Sequence, residues 1–306
     1  MLLSEAAPAR AAAEQALLAQ MSVALREVDY QGSFIYQHAG RIDALRIFHA
    51  GGGKERERLV SMSGARSEIV RDGTTVTCLQ DGRPTVLLPD RAGAHLLPLV
   101  PDTRGLSFPK FYALQAGGYD RVAGYRARII EIVPRDAFRY GYRIWLDDAT
   151  HLPLRSAVVD GNGHGLEQFM FVALDIGAPP KESDLVPDHG SGVVAPPLEV
   201  RLGRPRWRVA DPPPGFRFLH AQRPTEGPAD AEHQVYTDGL ADVSVYIEPR
   251  GRAAPAADQA SAHGVLSVYT HEAGEWRIAV LGDVPRATVE RMARSVQPAP
   301  RATDLH

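Results

Sequence analysis

The stretch "DGNGHG" at 160–165 is the nearest approach to a ligand loop in this chain. Asp160, Asn162, His164 and Gly165 take the first, third, fifth and sixth places of a calcium loop, where oxygen ligands and a sharp turn are required. The twelfth place must supply a bidentate Glu and is Phe171, so the stretch reads as a hairpin turn. "HGSGVV" sets Ser191 between glycines, without the spacing of a nucleophile elbow and inside a Pro/Gly-rich run. Asp147-Asp148 fails as a carboxylate pair, because neighbours on a strand point to opposite faces. "KERER" at 54–58 alternates sign, the pattern of a solvated face or a protected edge. The eleven histidines are scattered, with no two at a ligand spacing. Phosphate loops, dinucleotide fingerprints, HExxH and paired CxxC motifs are all missing. The lone Cys78, in "TTVTCLQ", shares a strand face with Val76 and reads as a small packed hydrophobe. The expectation is no catalytic residue, no metal and no cofactor.

The elements around these residues carry more information. "YQGSFIYQHAGRIDALRIFH", 30–49, reads as two strands around an Ala39-Gly40 turn. In that register His38 faces Arg41, Tyr36 faces Asp43, Phe34 faces Leu45, Gly32 faces Ile47 and Tyr30 faces His49. One face then holds Tyr30, Phe34, Tyr36, Leu45 and Ile47, while Gln31, Ser33, Gln37 and Arg46 lie on the other. The two histidines fall on the order of 26 Å apart along the ladder, too far to share a metal.

A chain of 306 residues that is 44% apolar is natural for two domains with real cores. A net charge of -3 and a pI near 6.4 leave no polyanion footprint, so no nucleic-acid partner is expected. No run approaches the ~18 apolar residues of a membrane helix. The opening "MLLSEAAPARAAAEQ" lacks the basic head and apolar run of a signal peptide. It reads as a cytoplasmic start, or as a mature secreted chain whose leader was replaced by Met1.

Residues 5–26, with Leu17, Leu18, Met21 and Leu25 at helical spacing, predict an amphipathic helix. From Val28 to Leu88 alternating runs are broken by glycine turns about every ten residues, which predicts an antiparallel meander. "TRGLSFPKFYALQAGG" holds a short helix or covering loop, and strands resume from Tyr119 to Ile176. A sheet of about ten sequential strands must curl, since twist accumulates. The expected fold is α+β, mainly antiparallel β: a half-open curled barrel over 1–177 with its opening plugged by helix. A linker over 178–199 leads to a smaller antiparallel sheet-and-helix domain over 200–300, closing with a helix from Pro285 to about Ser295 that has proline in its first turn.

The run "FRYGYRIWLDDATHLPLRSAVVDGNGHGLEQFMFVALDIG" resembles the RseB/MucB family, periplasmic negative regulators of the extracytoplasmic stress (sigma-E/AlgU-type) sigma factor. The family pattern is matched by Trp145, Asp147, Leu152, Pro153, Arg155, Asp160, Glu167, Gln168 and Phe169. "YQGSFIY", "LRIFH" and "RLVSMSGARSEIVRDG" extend the resemblance through the first module, and "WRVADPPPGF" and "VYTDGLADVSVYI" carry it into the second. The W-x-D and LP-x-R elements also occur in the lipoprotein-carrier superfamily, which shares the first domain's fold.

The resemblance implies a non-catalytic periplasmic sensor of envelope stress, its leader removed. Such a protein binds the periplasmic domain of an RseA/MucA-like anti-sigma factor, shields it from the initiating protease, and is released by lipid or lipopolysaccharide. Phe34, Tyr36, Leu45 and Ile47 would then line a partly open lipid pocket, whereas the residues alone favour a closed core. Val235, Tyr236, Thr237, Asp238, Gly239 and Leu240 are the candidate partner contact, a plain turn at Asp238-Gly239 being the other reading. A periplasmic lipid or lipoprotein carrier is the alternative function, and it leaves the second module unexplained. A homodimer stays open.

Overall fold

The computed structural model describes residues 6–73, 75–80, 83–86, 96–101, 108–187, 201–223, 230–250 and 258–300. Ser191 and the greater part of the expected linker, 188–199, lie outside the described residues. The chain divides into two compact units, one of residues 1–133 with 141–197 and one of residues 134–140 with 198–306.

The first unit opens with helix α1 (Ala6–Glu27) and strands β1 (Tyr30–His38), β2 (Arg41–Ala50), β3 (Arg56–Ser61), β4 (Ser67–Asp72), β5 (Thr75–Gln80) and β6 (Arg83–Val86). A single turn α2 (Phe108–Phe111) precedes β7 (Tyr112–Val122), β8 (Tyr125–Pro134), β9 (Gly141–Asp147), β10 (Pro153–Val159) and β11 (Gly165–Ile176). Among the described residues these strands form one sheet in the order β6-β5-β4-β3-β2-β1-β11-β10-β9-β8-β7. Two meanders are thus joined where the first strand pairs antiparallel with the last, and β6 and β7 are left as edges, so the sheet is not closed. The close approach of β1 to β11 requires Gly32, where a Cβ would sit 2.5 Å from the Ala173 carbonyl oxygen.

The first hairpin shows why the local sequence folds as it does. Ala39 and Gly40 have φ of 45° and 76°, the left-handed pair that a two-residue hairpin loop demands. Every expected pairing from Tyr30↔His49 to His38↔Arg41 is present. Helix α1 covers one face with Leu18, Met21 and Leu25 buried and Leu17 half-buried. Arg128 of β8 reaches Glu14 of this helix at 3.5 Å. The helix end is held by the β2–β3 connection: the Gly52 amide donates to the Arg26 carbonyl at 3.1 Å, and the Gly51 amide to Asp29 Oδ1 at 2.9 Å.

The second unit contains β12 (Arg201–Leu202), β13 (Trp207–Val209), β14 (Arg217–Arg223), β15 (Glu232–Thr237), β16 (Asp242–Pro249), β17 (Gln259–His263), β18 (Leu266–Ala273), β19 (Trp276–Gly282), α3 (Arg286–Arg294) and β20 (Val296–Pro298). A sheet ordered β12-β14-β15-β16-β19-β18-β17 is joined by a β13-β20 pair. Val243, Val245, Ile247, Ile278 and Val280 pack with Val289 and Met292 of α3 in a core from which water is excluded. Pro285 sits one place ahead of the expected first turn, as the residue capping α3, its carbonyl accepting from the Thr288 amide at 2.9 Å.

Two sequence expectations are corrected. Strand β3 is interior, between β2 and β4, so the strand part of "KERER" is neither a solvated face nor an edge: Glu57 and Arg58 are 0% and 4% exposed, and only Lys54, ahead of the strand, is solvated. Each has a partner from β4, on opposite faces of the sheet. Arg71 Nε donates to Glu57 Oε2 at 2.9 Å, and Arg58 donates twice to Glu68 Oε2, at 3.0 and 3.1 Å. The alternating signs record partners that arrive from another strand.

Residues 134–140, expected within the first module, belong to the second unit. Arg139 is its anchor. The fully buried guanidinium donates to Asp238 Oδ2 at 2.8 Å, to Asp136 Oδ1 at 3.0 Å and to the Pro214 carbonyl, and lies 5.3 Å from the Phe216 ring centre. Thr288 of α3 donates to the Phe138 carbonyl at 2.6 Å.

Arg139→Ala strands the buried Asp238 carboxylate, and removing one member of such a pair costs about 3–5 kcal/mol. The expected outcome is a lower urea midpoint for the second unit, followed by Trp207 and Trp276 fluorescence; an unchanged midpoint contradicts the anchoring role.

Candidate functional site

The apolar face of the β1–β2 hairpin continues across the sheet through paired residues: Phe34 with Phe171, Tyr36 with Phe169, Phe169 with Ser156, Ser156 with Ile144 and Ile144 with Ile130. Phe34, Phe169 and Phe171 meet edge to face, with ring centres 5.5 to 6.0 Å apart. Phe34, Tyr36, Leu45 and Ile47 therefore share one face, and their burial is graded. Phe34 and Ile47 are 1% and 0% exposed, whereas Tyr36 and Leu45, nearer the hairpin tip, are half-buried.

Polar groups bound this apolar strip at both ends. Toward the tip, the Tyr36 hydroxyl donates to Glu167 Oε2 at 2.9 Å, and its ring stacks on His38 at 4.4 Å. His38 Nε2 in turn lies 2.7 Å from Asp43 Oδ2. At the other end a row crosses four strands, because Tyr30 pairs with His49, His49 with Glu57 and Glu57 with Arg71. Tyr30 and His49 stack at 4.6 Å. His49 Nδ1 is 2.8 Å from the Val28 carbonyl oxygen, which can only accept, so Nδ1–H donates there and Nε2 points toward Glu55.

That Nε2, Glu57 Oε1 and the Tyr30 hydroxyl are buried without a hydrogen-bond partner. Glu55 Oε1 lies 3.7 Å from Nε2, and single ligand atoms of His49, Glu55 and Glu57 all fall within 4.8 Å of one another. Burial pushes the Glu57 carboxyl above its usual range, although His49 and Arg71 pull the other way. Burial, with Glu57 and Glu55 nearby, raises the Tyr30 phenol well above its ordinary value. Sequence reasoning missed this group because it compared histidines only with histidines. The available signal was the hairpin register combined with H-x5-E-x-E, which sets His49 opposite Glu57.

The motif residues of β9 to β11 hold structure. Trp145 Nε1 donates to Asp120 Oδ2 at 2.9 Å, the Arg155 guanidinium lies 4.1 Å from the Trp145 ring centre, and Arg155 donates to Gln168 Oε1 at 2.7 Å. Asp147 Oδ2 accepts from the Thr150 amide and hydroxyl, both at 2.8 Å. Asp160 Oδ1 accepts from the Asn162 and His164 amides at 2.8 and 2.9 Å, which makes "DGNGHG" a hairpin turn. A cavity of about 180 Å³ beside Trp145, Arg155 and Gln168 is smaller than the ~300 Å³ at which ligand pockets begin. Burial raises the Cys78 thiol, the opposite of what an activated nucleophile needs.

In the second unit Val235, Tyr236 and Thr237 are buried, while Asp238, Gly239 and Leu240 are half-exposed. Asp238 Oδ1 accepts from the Leu240 and Ala241 amides, each at 2.9 Å, and Thr237 Oγ1 accepts from Gly239 at 2.9 Å. The Tyr236 hydroxyl donates to Gln234 Oε1 at 2.9 Å and accepts from the Val209 amide at 3.1 Å. The side chains of this hairpin thus satisfy its own turn and core, with the Asp238 carboxylate fully buried against Arg139, leaving only Gly239 and Leu240 of the tip partly exposed.

Residues 13–189 match the family described as the MucB/RseB N-terminal domain, and residues 202–297 match the MucB/RseB C-terminal domain. The chain is 34% identical over 302 residues to the sigma factor AlgU regulatory protein MucB of Pseudomonas aeruginosa, covering 96% of this chain and 94% of that protein. It is 28% identical over 293 residues to the sigma-E factor regulatory protein RseB of Escherichia coli, covering 93% and 91%. A crystal structure of MucB in complex with MucA(peri) superposes with a TM-score of 0.76 at 31% identity, covering 94% of this chain and all of that one.

The burial gradient has a measurable consequence. Phe34→Ala opens a cavity in a closed aromatic cluster and is expected to cost about 3–5 kcal/mol. Leu45→Ala, at the half-buried end, is expected to cost roughly half of a full leucine burial, about 0.8–1.5 kcal/mol. Equal losses in urea unfolding would remove the gradient.

Proposed function

The chain belongs to the MucB/RseB family, and from that premise we propose that it is a non-catalytic regulator of an envelope-stress sigma factor. It acts in the periplasm, binds the periplasmic segment of a membrane-spanning anti-sigma factor, and shields that segment from the initiating protease. Lipid or lipopolysaccharide releases it. The observation that carries this reading is coverage: each unit has its own match, and MucB, similar over nearly the whole chain, crystallises with MucA(peri). A lipid or lipoprotein carrier would use the first unit and leave the second without a role. The engaged motif residues, with no nucleophile and base brought together among them, favour a binding protein over an enzyme.

The finer assignments follow the same reading. The signal's acyl chain enters along Tyr36 and Leu45 toward Phe34 and Ile47, where each buried CH₂ contributes ~0.8 kcal/mol. The partner is engaged by both units, and the Val235–Leu240 hairpin contributes through Gly239 and Leu240 of its tip. A ligand that favours a different arrangement from the partner must weaken partner binding, because linkage is reciprocal. Binding through two linked units gives affinity that neither supplies alone.

The test is proteolysis of an anti-sigma periplasmic segment in the presence of the full-length chain, with and without lipopolysaccharide. Protection that lipopolysaccharide relieves is the expected result, together with a lost response to lipopolysaccharide in Leu45→Gln. Absence of protection rejects the regulator reading; protection indifferent to lipopolysaccharide rejects the lipid signal.

A further inference from the structure

We propose that His49, Glu55 and Glu57 form a site for one divalent transition-metal cation of zinc-like preference, where the β2–β3 connection meets the end of α1. The proposal is independent of the regulatory reading. Seven buried side-chain atoms lack a hydrogen-bond partner among the described residues, and three of them, His49 Nε2, Glu57 Oε1 and the Tyr30 hydroxyl, belong to one stacked and paired group. The other four are single atoms of Glu14, Arg155, Arg206 and Glu272; three such atoms gathered in one group mark a place where a missing species belongs.

The donor chemistry selects a cation. One imidazole nitrogen and two carboxylate oxygens within 4.8 Å of one another close on a metal at bonds of about 2.0–2.2 Å with small side-chain shifts. Three protein ligands and one position left for water make a usual zinc set. Both buried ligands are oriented from behind: the Val28 carbonyl fixes the His49 tautomer, and Arg71 holds Glu57 Oε2 so that Oε1 is the free oxygen. Imidazole with carboxylate favours zinc and its first-row neighbours over calcium or magnesium, which prefer oxygen alone. Glu55, with 23% of its side chain exposed, gives the route from solvent. Arg71 offsets one carboxylate charge, which lowers the affinity expected without changing the ligand set.

A cation here would clip the β2–β3 connection beside the amides of Gly51 and Gly52 that hold the end of α1. The experiment uses the full-length chain stripped with EDTA, titrated with Zn²⁺ against a chromophoric chelator, with a thermal melt at each end point. One zinc per chain and a raised melting temperature are expected. Glu55→Gln, at the half-exposed ligand, should fold normally and weaken binding at least about tenfold with loss of the thermal shift. Glu57→Gln should do the same, and His38→Gln, remote from the group, should leave binding unchanged. No zinc bound, glutamine variants that bind zinc as tightly as the unsubstituted chain, or loss of binding in His38→Gln overturns the site and leaves a shared proton or a water as its occupant.

Discussion

A strand buried on both faces can keep charge only as pairs, and β3 lives under that constraint at Glu57 and Arg58. Glu57 meets Arg71 on one face and Arg58 meets Glu68 on the other. Because the side-chain period of a strand is two, a slip of one residue would carry Arg58 onto Arg71's face and Glu57 onto Glu68's. Both faces would then hold like charges with no water to screen them, an outcome far worse than a lost pair. Hydrophobic packing alone would tolerate several registers of so polar a strand. The ion pairs specify β3 against β4, and through His49 they connect that register to β2, α1 and the apolar strip.

The same constraint explains what could be read from the residues. The β1–β2 hairpin was legible to the last pairing because its determinants are local: alternation on both strands, and a turn of Ala39 and Gly40 that only a two-residue loop accommodates. Helix α1 was legible for a similar reason, from Leu18, Met21 and Leu25. "KERER" was not, since the pattern of signs along one strand is identical whether the partner is water or another strand. Arg71 and Glu68 lie on the other arm of the β3–β4 hairpin, and only its register brings them to Glu57 and Arg58. Residues 134–140 were hidden in the same manner, because Arg139 reads as a polar loop residue until Asp238 and Pro214 are found beside it.

The motif that carries the family resemblance and the chemically promising group turn out to be different sets of residues. Trp145, Arg155 and Gln168 form a stacked and hydrogen-bonded lattice on one face, so the run that carries the family resemblance is chiefly a folding instruction. His49, Glu55 and Glu57 carry no motif, and their meeting depends on strand pairing. Family resemblance therefore gave the architecture, while the cluster of unpartnered donors and acceptors emerged only from register.

How the apolar strip could respond to a lipid follows from where it is stiff. At Phe34 and Ile47 three aromatic rings interlock and the row from Tyr30 to Arg71 closes the end, so opening there would expose unpaired polar atoms as well as break packing. At Tyr36 and Leu45 the strip is already half open, and its polar boundary is one hydroxyl to Glu167 and one pair between His38 and Asp43. The half-exposed His38–Asp43 pair contributes only about 0–1 kcal/mol, and the bond from Tyr36 to the buried Glu167 about 1.5–3 kcal/mol. An acyl tail of ten carbons gains roughly 8 kcal/mol on full burial at ~0.8 kcal/mol per CH₂. That exceeds the cost of parting the tip and falls near or below the cost of breaking the aromatic centre as well. The expected motion is thus confined to the hairpin tip, with the polar row acting as the fixed end of the strip.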